Sequence, residues 1–541
     1  MSVPDREPQA PSFERVRAVA KQLTRDCRRG DASALERVQA QLPRLASLDA
    51  ATVAASVRLA DVQHALAREA GVENWVALKT LVRSQEPMIA QLERFLSALP
   101  EGDRAAMLRA LERHPEISAT GIHAACAACD AEGVERWLAR DPPLAVQPHA
   151  GRGWRPLDCL AASPLFDLDD AHRSASVAIG ERLLALGADP NTFTSSNDGH
   201  SDVKLTALYR ASEQGNAGLV RLLLEHGANP NDGESVYHSA ERNHRGVLEL
   251  LVAHGAEISA TNQPWNNTVL YYLAGHRDDS ALAPSATEGM RWLLEHGADP
   301  NVGSYNHRET PLHRIAEYGR GVAVAELLIA HGADPRAARA DGRTPYEMAM
   351  RSGNAAVAEL LRARAAAVAE LRPADAFLAA CAAGDEATAR AIRDAQPELD
   401  DDVEALKHYA VVHATESGNV NAVRVLIALG HDLSVEGPWG GTALHWAAWR
   451  GRVELVRALL VANAPIHVRD KTYGSSPIAW AAHGSANCRN ADNDYIAVID
   501  LLLEIGSERA PSFNKWNEPP EALASEMVAD HLRARGFAPA E

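Results

Sequence analysis

The sequence predicts an all-α repeat solenoid: helix–turn–helix units joined by short finger loops and preceded by a small helical N-terminal segment. Three observations predict it. Gly-Ala-Asp-Pro recurs at Gly187–Pro190, Gly297–Pro300 and Gly332–Pro335, with Gly-Ala-Asn-Pro at Gly227–Pro230, and each copy closes a leucine-rich stretch. A second motif, Thr-Pro-Leu-His at Thr310–His313, is echoed from Thr206, Thr344 and Thr442; the steps Thr310 to Thr344 and Thr442 to Ser476 are both 34 residues. Finally, 46 % of the 541 residues are apolar but only 5 % are aromatic, which suits thin helices packed through alanine and leucine. In a solenoid each unit buries its apolar face only against its neighbours, so length adds units without deepening the interior.

A period of about 33 residues carrying these two signatures resembles the ankyrin repeat. The resemblance implies a protein-binding surface on the concave face, made from finger loops and exposed inner-helix positions. It also implies that the second-motif histidine, His313, hydrogen-bonds neighbouring backbone and orients its loop.

Residues 1–115 lack both signatures and read as short helices, with apolar positions at helical spacing in LADVQHALAREAG and WVALKTLVR. Gly71 sits where the first of these ends, and Asn74 can cap the next. With Ala67-Arg68-Glu69, Gly71, Trp75 and Leu78-Lys79, the stretch resembles the helical N-terminal segment of bacterial ankyrin-containing proteins. Cys27, Cys126 and Cys381 each precede a proline by 16 residues (Pro43, Pro142, Pro397), which predicts the same helix, tight turn and second helix at all three places.

The first array spans 119–367, with repeats beginning near His123, Trp154, Leu205, Ser235, Thr268, Thr310 and Thr344. One repeat shows the logic. Thr310 caps, Pro311 sits in the first turn where a missing N–H costs nothing, and Leu312, Ile315 and Ala316 face the stack. Gly319 turns the chain, AVAELLIAHG forms the outer helix, and Gly332 ends it with positive φ. After the last repeat the closing turn is missing. RARAAAVAELR continues with strong helix formers until Pro373, so a bridging helix ending at 368–374 is expected to join two arrays. The second array covers 375–540, with repeats from Asp375 and near Val411, Thr442 and Ser476. EALASEMVADHLRARG (521–536) is read as its closing helix. Three insertions, SPLFDLDDAHRSASVA, HRDDSALAPSATEG and HGSANCRNADNDYIAV, read as loops tolerated on one face. Their aspartates, Asp167, Asp169, Asp170, Asp492 and Asp494, lack the alternating ligands, turn glycine and terminal glutamate of a calcium loop.

No phosphate loop, zinc-hydrolase helix or nucleophile elbow has the right spacing, so no catalytic, cofactor-binding or metal residue is assigned and the chain is read as a non-enzyme. Cys126 and Cys129 form a single CxxC without a second pair, and six cysteines make no disulfide framework. A net charge of −18 argues against nucleic acid and against a membrane surface. The polar start lacks an apolar core of a secretory signal, and no run approaches the roughly 18 apolar residues of a membrane span. A soluble, reduced, cytoplasmic monomer is expected. Six lysines against 48 arginines suggest a GC-rich bacterial genome.

The candidate partner-binding residues are the finger aromatics Trp154, Trp265, Tyr305, Trp439, Tyr473 and Trp516, with Tyr318, Trp449 and Arg450 on inner helices. Phe193 is a further finger aromatic. Exposed aromatics and arginine are the residue types of interface hot spots, and Trp449 beside Arg450, under the Trp439 finger, is the leading pair. The function read from this is a scaffold or regulator that holds a protein partner. Two alternatives are an inhibitor, immunity protein or delivered effector aimed at one target, and, more remotely, an enzyme using the N-terminal segment.

Overall fold

The computed structural model describes residues 13–46, 48–75, 77–78, 92–100, 102–195, 203–262, 265–278, 280–365, 370–396, 399, 404–488, 493–507, 514–515 and 519–537. Two compact units divide the chain, Met1–Ser235 and Val236–Glu541.

In the first unit, helices Phe13–Arg28, Ala32–Gln41, Ala50–Ser56 and Leu59–Glu69 share a core of their own around Leu35, Val38, Val53, Val62 and Leu66. Gly30 turns the chain between the first two with φ +80°, and Asp31 caps the second by accepting the Ala34 N–H. The device recurs at both other cysteine repeats: Asp130 accepts from Gly133, and Asp385, in the second unit, accepts from Thr388. Cys129 takes the left-handed turn conformation (φ 54°) that Gly30 and Gly384 supply elsewhere, so a side chain bears there a strain that glycine avoids. Helix pairs follow: Ile122–Ala127 with Ala131–Arg140, Pro156–Ala161 with Asp170–Ala185, and Ala207–Gln214 with Ala217–Glu225. Their inner helices pack on one another through buried alanine and leucine. One finger is a true hairpin, Phe193–Ser195 antiparallel to Lys204–Thr206 with Thr194 opposite Leu205.

The second unit repeats the pattern. Its inner helices include Val269–Ala274, Pro311–Tyr318, Pro345–Ser352, Pro373–Ala383, Glu404–Glu416, Ala443–Trp449 and Pro477–Asn487, each followed by an outer helix. His313 does what the second motif implies. Its Nδ1 accepts the Thr310 N–H at 3.2 Å and lies 2.9 Å from the Thr310 hydroxyl, which leaves Nε2 to donate to the Arg343 carbonyl at 3.1 Å. His445 makes the same set with Thr442 and Ser475. Burial holds both imidazoles in the neutral form these bonds need, with the His445 pKa lowered to about 4. Where the histidine is absent, Glu347 accepts the Thr344 N–H at 2.7 Å instead.

Three expectations are corrected. The helix expected to bridge two arrays ends at Arg364, and Pro373 begins a helix rather than stopping one. Proline is favoured at the first helical position and holds the residue before it extended, as Arg372 is (φ −59°, ψ 151°). The Pro373–Ala383 helix then packs on Pro345–Ser352, so stacking runs through the stretch where a joint was expected. Second, the insertions are largely helical. Asp169 caps an Asp170–Ala185 helix through the His172 N–H, Ala283–Glu295 absorbs the second half of the second insertion, and Pro477–Asn487 extends into the third. Their aspartates serve as caps and ion pairs: Arg173 pairs with Asp167 and Asp170, and Asp494 caps Ala497. Asp492 lies outside the described residues. Third, the closing helix is two helices, Pro520–Leu523 and Glu526–Ala534, broken where Ala524 is extended.

Candidate protein-interaction surface

In the first unit, Trp154 is half-buried, and the Arg210 guanidinium lies 5.2 Å from its ring centroid. The chain itself covers this face. Residues 92–97 form a helix whose start meets the finger and whose continuation runs along the Ala207–Gln214 helix. Arg152 donates to the Glu93 carboxylate at 3.1 Å and also to Ser97. Arg210 donates to the Pro100 carbonyl at 3.3 Å, Gly102 abuts the Gln214 side chain, and Arg104 donates to the Asp167 carbonyl. Phe95, Leu96 and Leu99 are buried. Nothing in the sequence pattern signalled this placement, because the hydrogen bonds from Arg152 and Arg210 reach residues 55 and 110 positions away.

In the second unit, three finger aromatics stand out from the surface: Trp265 is 48 %, Tyr305 70 % and Trp439 44 % exposed. Trp439 adopts a left-handed backbone (φ 62°) and stacks on Tyr473, with ring centroids 6.3 Å apart and planes 24° from parallel. Tyr473 meets the edge of Trp480, and Trp480 in turn meets Trp446 and Trp449. Trp480 is the residue the sequence reading missed. It is buried in an inner helix, where its indole N–H donates to Asp470 at 3.0 Å. Trp449 is half-buried between Trp480 and His483. Arg450 is only 8 % exposed, which corrects the expectation of an open Trp–Arg pair; its charge instead lies near the Glu416 carboxylate. Tyr318 is half-buried under the Arg314 guanidinium at 3.8 Å, and burial pushes its pKa up to about 12. Trp516 lies outside the described residues.

A cavity of about 390 Å³ opens among the Pro345–Ser352, Pro373–Ala383 and Glu404–Glu416 helices. Leu378, Cys381, Ala414 and Leu426 line its apolar part, and Glu317, Arg351, His413 and Glu416 its polar part. Burial raises the Glu416 pKa, His413 and Arg450 oppose that shift, and Glu317 adds to it. Burial lowers the Arg351 pKa against the pull of Asp375, 3.4 Å away. The cavity also reaches Gly437 and Pro438, the residues just before exposed Trp439. Glu317, Arg351, Ser352, Glu416 and Ser417 lie at the ends of inner helices, and the sequence gives no sign of the void behind them. The Pro373–Ala383 helix packs on the Val420–Ala428 helix beside that void, a long-range contact no motif encodes.

Near the start of the second unit, at the Ser235–Glu241 and Val269–Ala274 helices, Glu241 (4 % exposed) is held by His238 at 2.9 Å, His276 at 2.8 Å and the Tyr272 hydroxyl at 2.6 Å. Desolvation opposes ionisation of Glu241, but the two histidines and the tyrosine outweigh it and keep the carboxyl well below the usual range. With its lone pairs engaged, this carboxylate ties the neighbouring inner helices together. Among the described residues, no three His, Cys, Asp or Glu side chains are grouped to hold a metal ion, and no helix is long and apolar enough to cross a membrane.

A family model described as ankyrin repeats (three copies) matches residues 170–262, 279–370, 376–471 and 412–508. Over 254 residues the chain is 25 % identical to Rabankyrin-5 of Homo sapiens, covering 44 % of this chain and 20 % of that protein. Over 167 residues it is 38 % identical to Palmitoyltransferase ZDHHC13 of Mus musculus, covering 30 % and 26 %. Over 76 residues it is 40 % identical to the 2-5A-dependent ribonuclease of Mus musculus, covering 13 % and 10 %. The chain thus spans at most 26 % of the length of any of these three relatives. Among solved structures, the human ASB11 ankyrin repeat domain is similar, with 24 % identity and a TM-score of 0.36 over 46 % of this chain and 99 % of that one.

Proposed function

The chain belongs to the ankyrin-repeat family, and on that premise we propose that it is a non-catalytic scaffold or regulator that holds a protein partner on the inner-helix and finger face of residues 236–541. Ankyrin repeats are generally protein–protein interaction modules, which makes a protein the natural ligand class. One observation carries the choice of place: exposed Trp439 directly follows the residues that line the cavity. A flat indole for a partner to cover, beside a pocket for one of its side chains, is the arrangement in which hot spots form. Trp265 and Tyr305 extend the exposed aromatic set along the fingers.

The proposed setting is a bacterial cytoplasm, with the protein acting as a monomer without nucleic acid or membrane. The net charge of −18 supports the exclusion of polyanions, and the arginine-for-lysine bias supports the bacterial source; the relatives described above are mammalian. Affinity capture from the native host with wild-type protein and with Trp439→Ala plus Trp265→Ala tests the placement. Loss of one specific captured protein at unchanged helicity is expected. Equal capture by both forms removes the finger face from the proposal.

A further inference from the structure

The first unit has a finger and inner-helix face that its own chain covers, separate in sequence from the face proposed for residues 236–541. Its elements are the Arg152 and Trp154 finger and the Arg210 and Gln214 positions of an inner helix, and residues 92–100 and Gly102 of the same chain lie on it. The resident segment, Leu92-Glu-Arg-Phe-Leu-Ser-Ala-Leu-Pro100, presents buried Phe95, Leu96 and Leu99 with an acidic residue, Glu93, at its start.

The fit is incomplete in a telling way. Arg210 is 6 % exposed, yet the resident segment offers it only the Pro100 carbonyl, at 3.3 Å. The Nε atoms of Arg210 and Arg152 are buried without a hydrogen-bond partner. Glu213, 3.7 Å from Arg210, stands at ion-pair distance without filling the guanidinium fork. A buried donor left unmade costs more than a made bond contributes, and a carboxylate meets two guanidinium donors at once where a carbonyl meets one.

We propose that this face is a receptor for an acidic amphipathic helix, that residues 92–100 are its resident occupant, and that a helix with a carboxylate at the Pro100 position displaces them. The partner is identified by chemistry: an acidic residue at the helix start, apolar residues two, three and six positions later, and a second carboxylate seven positions on. The stacking of Arg210 between Trp154 and Tyr209, both at 5.2 Å, fixes the guanidinium for such a contact.

The test uses the full-length chain and two labelled peptides, one with the sequence of residues 92–104 and one carrying Pro100→Glu. The glutamate peptide is expected to bind wild-type protein at least tenfold more tightly than the native-sequence peptide and to speed amide exchange across residues 94–99. Arg210→Gln is expected to abolish that tenfold preference. Leu96→Asp with Leu99→Asp, which weakens the resident helix, is expected to tighten both peptides at least tenfold. Failure of both peptides to bind wild type, equal affinities, or binding with exchange at 94–99 unchanged overturns the proposal. If either variant fails to fold, these wild-type measurements decide it alone.

Discussion

Trp439 and Trp449 lie ten positions apart, yet one stands out from the surface and the other is packed in the stack, and truncating each to alanine tests the roles proposed for them. Trp449 is half-buried, with its ring edge-on to Trp480 at 6.2 Å and to His483 at 5.0 Å. Removing a fully buried large aromatic costs roughly 3–5 kcal/mol, and each aromatic pair adds roughly 0.5–1.5 kcal/mol beyond area. Scaled to half burial, Trp449→Ala is expected to cost about 2 kcal/mol. Trp439 is 44 % exposed and stacks on Tyr473, so Trp439→Ala is expected to cost less than about 1 kcal/mol. Urea unfolding followed by far-ultraviolet circular dichroism measures both, and partner affinity is read on the same samples. The expected pattern is a crossed one, with Trp449→Ala shifting the unfolding midpoint and Trp439→Ala shifting binding. A larger midpoint shift for Trp439→Ala refutes the assignment of Trp449 to the stack and Trp439 to recognition.

Acid is expected to weaken the repeats through their buried histidines. The folded pKa of His445, about 4, lies below the ordinary imidazole value of about 6.5, so the unfolded chain binds more protons between those values and stability falls as pH drops below about 6.5. The loss from this one residue reaches about 1.4 kcal/mol at pH 5.5, and a His445→Gln protein measured by urea unfolding between pH 7.5 and 5 should show a correspondingly smaller slope. A slope unchanged by His445→Gln contradicts the neutral, doubly bonded ring. Gly289→Ala tests the close approach of an outer helix to the Ser235–Glu241 helix. An added Cβ would lie 1.8 Å from the Ala240 carbonyl oxygen, and thermal unfolding should show a loss of at least about 3 kcal/mol. A neutral Gly289→Ala denies that contact.

What was legible in the sequence was what is local and repeated. Thr310 and His313 bond to each other and to a carbonyl 30 residues on, so the geometry recurs wherever the motif does, at Thr442 and His445 as well. The cysteine spacing marked three equivalent turns because an aspartate cap follows each of them. Helix propensity misled just after Arg364, where alanine and arginine favour helix but Ala365 already leaves it and Pro373 has to open the next one. It also misled at the insertions, where acidic residues looked like loop and proved to be caps and first-turn positions. Trp439, Trp265 and Tyr305 were legible as exposed because fingers lack a covering neighbour. Trp480, the cavity and the covering of Arg210 by residues 92–100 were not, since each depends on the spacing between helices far apart in the chain.

The proposed function stands or falls on one dissociation constant pair: wild-type protein and Trp439→Ala, each titrated with the partner identified by capture. If the indole beside the cavity is a hot spot worth about 2 kcal/mol, Trp439→Ala binds about 30-fold more weakly at unchanged unfolding midpoint. Affinities within twofold of each other would contradict the placement of the partner on this face.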